Sequence, residues 1–201
     1  MNLANKLTIF RIILVIIMVI IAYIPLNSVI LNIGLDMWIL NIIFVVASIT
    51  DKLDGNIARK RNQITDFGKF LDPIADKMLV LSAMLILVEK SLLPAWIPII
   101  VLIREFAVSG YRLIAVQKNN KVIAASIWGK IKTVTQMTAI ILAFININNT
   151  NSFGAFLFEN LNGLPLMINV ITTIMFIISI LATIISGIDY LKNGKDLLKD
   201  C

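Results

Sequence analysis

Four aspartates carry the densest chemistry in the chain: Asp51 and Asp54, then Asp72 and Asp76. They stand in the runs Asp51-Lys52-Leu53-Asp54-Gly55-Asn56-Ile57-Ala58-Arg59 and Gly68-Lys69-Phe70-Leu71-Asp72-Pro73-Ile74-Ala75-Asp76. Spacings of three and four put each pair on one face of a helix. A lone pair of this kind at a helix end is usually a cap or a solvated turn. Two pairs separated by the short polar connection 60–66 predict something else, namely two antiparallel helices whose carboxylates converge. Converging carboxylates repel one another, and two divalent cations bound among them would relieve that repulsion. Gly55, Ala58 and Gly68 are small enough to let a bulky ligand approach the backbone. Arg59 offers a planar fork suited to phosphate.

The elements that must position these groups are apolar. The chain has 201 residues, 59% of them hydrophobic, which exceeds the roughly one-half usual in soluble domains. Six segments read as membrane spans: 7–26, 37–57, 70–88, 94–116, 127–147 and 164–188. The first has no small-residue cleavage site after it and is read as a span rather than a signal peptide. The last is charge-free, while the others carry their charges towards one end. The expected fold is therefore all-α. It is a single-domain polytopic membrane protein of six transmembrane helices, 1–201, with a polar cavity in one half of the bundle.

Charge sets orientation. Of 18 basic residues, all but Lys90 fall at the termini, in the even-numbered loops or at the adjoining span ends. The excess of basic residues on one side predicts that both termini, the aspartates and the cavity mouth lie at the cytoplasmic face of the cell membrane. The net charge of +6 then reads as attraction to anionic lipid and anionic substrates rather than to nucleic acid. With no histidine and one cysteine, intrachain disulfides and histidine chemistry are excluded. Oxygen ligands favour magnesium, manganese or calcium.

The pattern Asp-x2-Asp-Gly-x2-Ala-Arg-x8-Gly-x3-Asp-x3-Asp resembles the signature of the CDP-alcohol phosphatidyltransferases, with every fixed position present. Three further segments resemble the phosphatidylglycerophosphate synthase branch of that family. They are Asn5-Lys6-Leu7-Thr8-Ile9-Phe10-Arg11, Arg104-Glu105-Phe106 with Ser109-Gly110-Tyr111-Arg112, and the stretch from Ala124 to Thr133. The resemblance implies six transmembrane helices, a homodimer and two divalent cations (Mg2+ or Mn2+) on Asp51, Asp54, Asp72 and Asp76. It implies attack of sn-glycerol 3-phosphate on CDP-diacylglycerol with departure of CMP, and Asp76 as the catalytic base. Asn5, Thr8, Gly55, Ala58, Arg59 and Gly68 would line the nucleotide pocket, with Arg11 close by. The phosphate of the acceptor needs cations, for which Arg104, Arg112, Lys130 and Lys132 are the candidates. Glu105 reads as a structural residue, with orientation of Arg104 or Arg112 as the other role open to it. Membrane lipid would surround the acyl tails.

Two other readings stay open at the level of sequence. A sister enzyme would share the aspartates but take inositol phosphate, serine or phosphatidylglycerol as acceptor. A divalent-cation transporter would also place acids in the membrane, but in several spans and commonly within internal repeats. Here the acids cluster at one face of two spans.

Overall fold

The computed structural model describes the backbone of residues 3–60, 66–119 and 127–193, and the side chains of 5–51, 71–111 and 127–190. Six long α-helices occur among the described residues: α1 Leu3–Ala22, α2 Leu35–Lys60, α3 Asp66–Glu89, α4 Trp96–Asn119, α5 Ile127–Phe144 and α6 Leu164–Asn193. Each expected span has its helix. The helices overrun the apolar spans at the charged end because backbone hydrogen bonding continues where side-chain polarity changes. At the other end α1 stops at Ala22, four residues short of the expected limit. Tyr23 and Ile24 turn back with bonds to Ile20 and Ile21, and Pro25 has no N–H to continue the ladder.

The helices close into a ring of neighbours. α1 packs on α2, α2 on α5, α5 on α6, α6 on α4, α4 on α3, and α3 back on α1. α3 also touches α5 across the ring. Successive helices run in opposite directions, so odd helices start, and even helices end, at the same face of the bundle.

Each helix buries a stripe at helical spacing, and the stripe changes character along its length. On α1 it reads Asn5, Thr8, Arg11, then Val15 and Met18. On α5 it reads Lys132, Gln136, then Ala139, Ile140 and Ala143. One half of the bundle is thus packed with Phe44, Leu40, Leu87, Phe144 and Phe176, while the other half encloses polar groups. The outward faces carry exposed Ile16, Ile20, Ile49, Leu85, Ile103 and Leu181. Water penalises so broad an apolar surface, whereas hydrocarbon does not. Among the described residues, two helical segments, Asn5–Ala22 and Leu164–Tyr190, are long and apolar enough to cross a membrane.

The apolar end is closed by hydrogen-bonded loops that the apolar pattern did not foretell. Val29–Ile30 and Ile33–Gly34 form a short antiparallel hairpin, pairing Val29 with Gly34 and Ile30 with Ile33. Its turn places Leu31 and Asn32 at φ 54° and 61°, the left-handed pair that a two-residue hairpin demands. Trp38 Nε1 donates to the Ile30 carbonyl at 3.1 Å, and the N–H of Asn148 donates to the Asn32 carbonyl at 2.8 Å. Lys90, the one basic residue expected at this end, meets Asp36 at 2.6 Å and ties α3 to α2.

Asn169 on α6 is the hub of this cap. It is fully buried, donates to the Ser152 carbonyl at 2.7 Å and accepts from the Phe156 N–H at 3.0 Å. Its amide also reaches the Thr150 carbonyl and Asn151 Oδ1, both at 3.3 Å. Replacement by leucine strands several buried loop groups, each worth about 1–3 kcal/mol when unsatisfied. The Asn169→Leu protein is expected to melt roughly 5–10 °C lower in detergent. Limited proteolysis should cut first within 146–162, and a melting point equal to wild type would overturn the assignment.

Candidate active site

At the polar end, three helices deliver one cluster. α1 brings Thr8 and Arg11, α2 brings Asp51, and α3 brings Asp72 and Asp76. Thr8 Oγ1 donates to Asp72 Oδ1 at 2.6 Å. Arg11 has no exposed surface, and its Nη1 lies 3.1 Å from Asp51 Oδ1 and 2.5 Å from Asp76 Oδ1. Carboxylates from two different helices therefore address the same nitrogen atom. Asn5 is buried one turn before Thr8 on the same stripe. Pro73 stands inside α3 between the two aspartates, where it removes one helical hydrogen bond and loosens the turn.

A second cluster joins α4, α5 and α6. Glu105 Oε1 accepts from Arg104 Nη1 at 3.0 Å and also from Lys132 Nζ. Arg104 Nη2 donates to Ser186 Oγ at 2.6 Å, and the guanidinium lies over the Tyr190 ring at 5.7 Å from its centroid. Lys77, the residue after Asp76, donates to Ser109 Oγ and links α3 to α4. Lys132 is buried, while Lys130 is exposed.

Both clusters open on one cavity of about 780 Å³. Asp51, Asp76 and Lys77 line it together with Arg104, Glu105, Lys130 and Lys132. Leu79, Val101, Val134 and Met137 give it an apolar floor. Such a space can take a charged head group whose tails continue into a hydrophobic medium.

The expected site residues thus sort by place. Thr8, Asp51, Asp72 and Asp76 come together, with Arg11 among them, and Asn5 lies buried one turn before Thr8 on α1. Arg104, Lys130 and Lys132 line the same cavity as Asp51 and Asp76. Asp54, Gly55, Ala58 and Arg59 occur on the last turns of α2, Gly68 on the first turn of α3 and Arg112 on α4. Their side chains lie outside the described residues. Among the described residues no three acidic side chains gather around one point. The fit to a divalent ion is read instead from the donor set. It consists of hard carboxylate oxygens, and Asp51 and Asp76 already share one cationic partner.

Sequence reading missed Ser186 and Tyr190. Ser186 sits near the end of a long charge-free run and Tyr190 just beyond it, and nothing in their spacing marks them as partners of Arg104. Of the two arginines offered as partners for Glu105, Arg104 makes the contact, and Glu105 also has the structural part of tying α4 to α5 through Lys132. Its grip on Lys132 reaches from α4 to α5, two helices that are not neighbours in the ring, and local spacing does not reveal such a contact.

The family model described as CDP-alcohol phosphatidyltransferase matches residues 1–185. A curated protein of Bacillus subtilis (strain 168), CDP-diacylglycerol–glycerol-3-phosphate 3-phosphatidyltransferase, is 38% identical over 203 residues, covering 98% of this chain and 97% of that one. Its namesake from Haemophilus influenzae is 37% identical, covering 99% and 96%. The one from Rickettsia typhi is 34% identical over 195 residues, covering 96% and 97%.

Proposed function

The chain belongs to the CDP-alcohol phosphatidyltransferase family, and from that premise we propose that it transfers a phosphatidyl group from CDP-diacylglycerol to sn-glycerol 3-phosphate. The products are phosphatidylglycerophosphate and CMP. The observation that carries this reading is one cavity lined both by the carboxylates Asp51 and Asp76 and by the cations Arg104, Lys130 and Lys132. A diphosphate donor and a phosphate acceptor both need such neutralisation. The donor's glycerol tails match the apolar floor.

Asp51, Asp54, Asp72 and Asp76 are the groups that would hold two divalent cations, Mg2+ or Mn2+. When bound, these ions supply charge neutralisation to the diphosphate and to the departing CMP. The protein's own groups do the rest. Asp76, partly exposed on the cavity wall, accepts the proton of the attacking acceptor hydroxyl. Thr8 and Arg11 hold Asp72, Asp51 and Asp76 in fixed orientation, so little reorganisation accompanies reaction. Arg104, Lys130 and Lys132, with Arg112, receive the acceptor phosphate. Asn5, Thr8, Gly55, Ala58, Arg59 and Gly68 form the nucleotide side.

The six helices cross the membrane as one domain, with both termini and the cavity mouth at the cytoplasmic face. The charge distribution supports this orientation: the polar cluster and almost all basic residues share one end, and Lys90 at the other is paired with Asp36. The working unit is a homodimer, a state that cross-linking in native membranes tests.

The decisive experiment uses purified protein in mixed micelles with radiolabelled CDP-diacylglycerol and Mg2+ or Mn2+. CMP release is expected to depend on sn-glycerol 3-phosphate and to stop with a chelator. Release supported instead by inositol phosphate, serine or phosphatidylglycerol would move the chain to a sister activity. No release with any acceptor, alongside Mn2+ flux in proteoliposomes, would replace the enzyme reading.

A further inference from the structure

The cluster on α4 and α5 has an arrangement that the proposed reaction does not by itself require. One carboxylate oxygen, Glu105 Oε1, receives both Arg104 Nη1 and Lys132 Nζ. An acid beside an anion-binding wall opposes the anion it is meant to attract. Its presence needs a reason, and geometry supplies one. Arg104 and Lys132 come from different helices, and α4 and α5 are separated by a connection of several residues. Two like charges facing one cavity repel and would swing apart into alternative rotamers. A shared carboxylate holds their charged heads at a fixed separation on the cavity that both residues line. Arg104 is braced on its other side by Ser186 Oγ and by the Tyr190 ring, so its plane is set from two directions. Lys132 is almost wholly buried, and Glu105 is its anionic partner.

We propose that Glu105 is a positioning residue for acceptor selection: it pins Arg104 and Lys132 into one preformed receptor for a phosphate monoester. The inference deepens the reading under which this cavity takes sn-glycerol 3-phosphate. It adds that selectivity for a phosphorylated acceptor is set by a residue that repels phosphate. The trio keeps a surplus of one positive charge, enough to attract the acceptor. Because the cations are already spaced, binding does not have to order two flexible side chains. Glu105 acts through its neighbours and touches no reacting atom.

The test compares purified wild type with Glu105→Gln, Glu105→Asp, Lys132→Ala and the double variant Glu105→Gln/Lys132→Ala. KM is measured separately for sn-glycerol 3-phosphate and for CDP-diacylglycerol. Glu105→Gln is expected to raise the acceptor KM about tenfold, leave the donor KM within about twofold, and lose discrimination against glycerol. Glu105→Asp recovers part of the acceptor KM. In the Lys132→Ala background, Glu105→Gln adds little, because residues acting through one partner are non-additive. An unchanged or lowered acceptor KM overturns the proposal, as does an equal rise in both KM values. If Glu105→Gln does not fold, Ser186→Ala tests the same receptor from its other brace, with the same split between the two KM values expected. Full additivity of Glu105→Asp with Lys132→Ala then counts against the proposal. A wild type that turns over without needing sn-glycerol 3-phosphate removes the underlying reading, whereas normal acceptor dependence with unaltered variants removes only the role given to Glu105.

Discussion

The Asp76→Asn protein is expected to lose CMP release by roughly three orders of magnitude while keeping its fold. Asparagine keeps the shape of the side chain and an oxygen at the Oδ1 position. That oxygen still accepts from Arg11 Nη1, which now lies 2.5 Å away. What vanishes is the negative charge and the ability to take a proton. Loss of a general base alone accounts for about 10²–10⁴-fold, and weaker holding of a cation adds to it. Asp72→Asn tests the charge separately, since Asp72 bonds to Thr8 and is not the base under this reading. It too is expected to fall below detection at ordinary enzyme levels. Initial rates of CMP release at saturating donor and acceptor measure both, with melting in detergent as the check on folding. Wild-type turnover by either purified variant sinks the assignment.

How much of this was legible in the sequence can be argued residue by residue. The helices were readable because an apolar run long enough to span hydrocarbon has few other uses. The short connection and the spacing of the acids led to α2 and α3 as packed neighbours, whereas α1 lies between them in the ring and its Arg11 joins their carboxylates. Asn5, Thr8 and Arg11 could be expected near the aspartates only through the family resemblance. Their helical spacing, continued by Val15 and Met18, explains why all five share the buried stripe of α1. Contacts between elements distant in the chain were not readable. Arg104 meets Ser186 across 82 residues, and Lys132 meets Glu105 across 27. No local period encodes which of six helices will be adjacent in the ring. The cap around Asn169 was hidden for another reason: asparagines in a polar loop look like ordinary turn residues until their amides are found buried.

Arg11 yields the second large effect, and it separates structural from chemical roles. The guanidinium is fully enclosed, and the two carboxylates it touches are 31% and 48% exposed. Removing one member of a buried pair costs about 3–5 kcal/mol, and partial hydration of the aspartates lowers that figure. The Arg11→Met protein is therefore expected to melt roughly 5–10 °C below wild type in chelator. Arg11→Lys should fall between, because a single ammonium does not reproduce the planar fork. Adding Mg2+ or Mn2+ then distinguishes the carboxylates' purpose. Without the guanidinium, their mutual repulsion rises, and a bound divalent ion relieves more of it than in wild type. A ligand that binds the folded state stabilises by RT ln(1 + [L]/Kd), about 2.7 kcal/mol at a hundredfold excess over Kd. The ion-induced rise in melting temperature should thus be larger in Arg11→Met than in wild type. Equal rises would mean that the ions bind elsewhere. No fall in chelator would mean that Arg11 does not hold α1 to α2 and α3. The enlarged rise, seen without any substrate, would tie the aspartates to divalent cations independently of turnover.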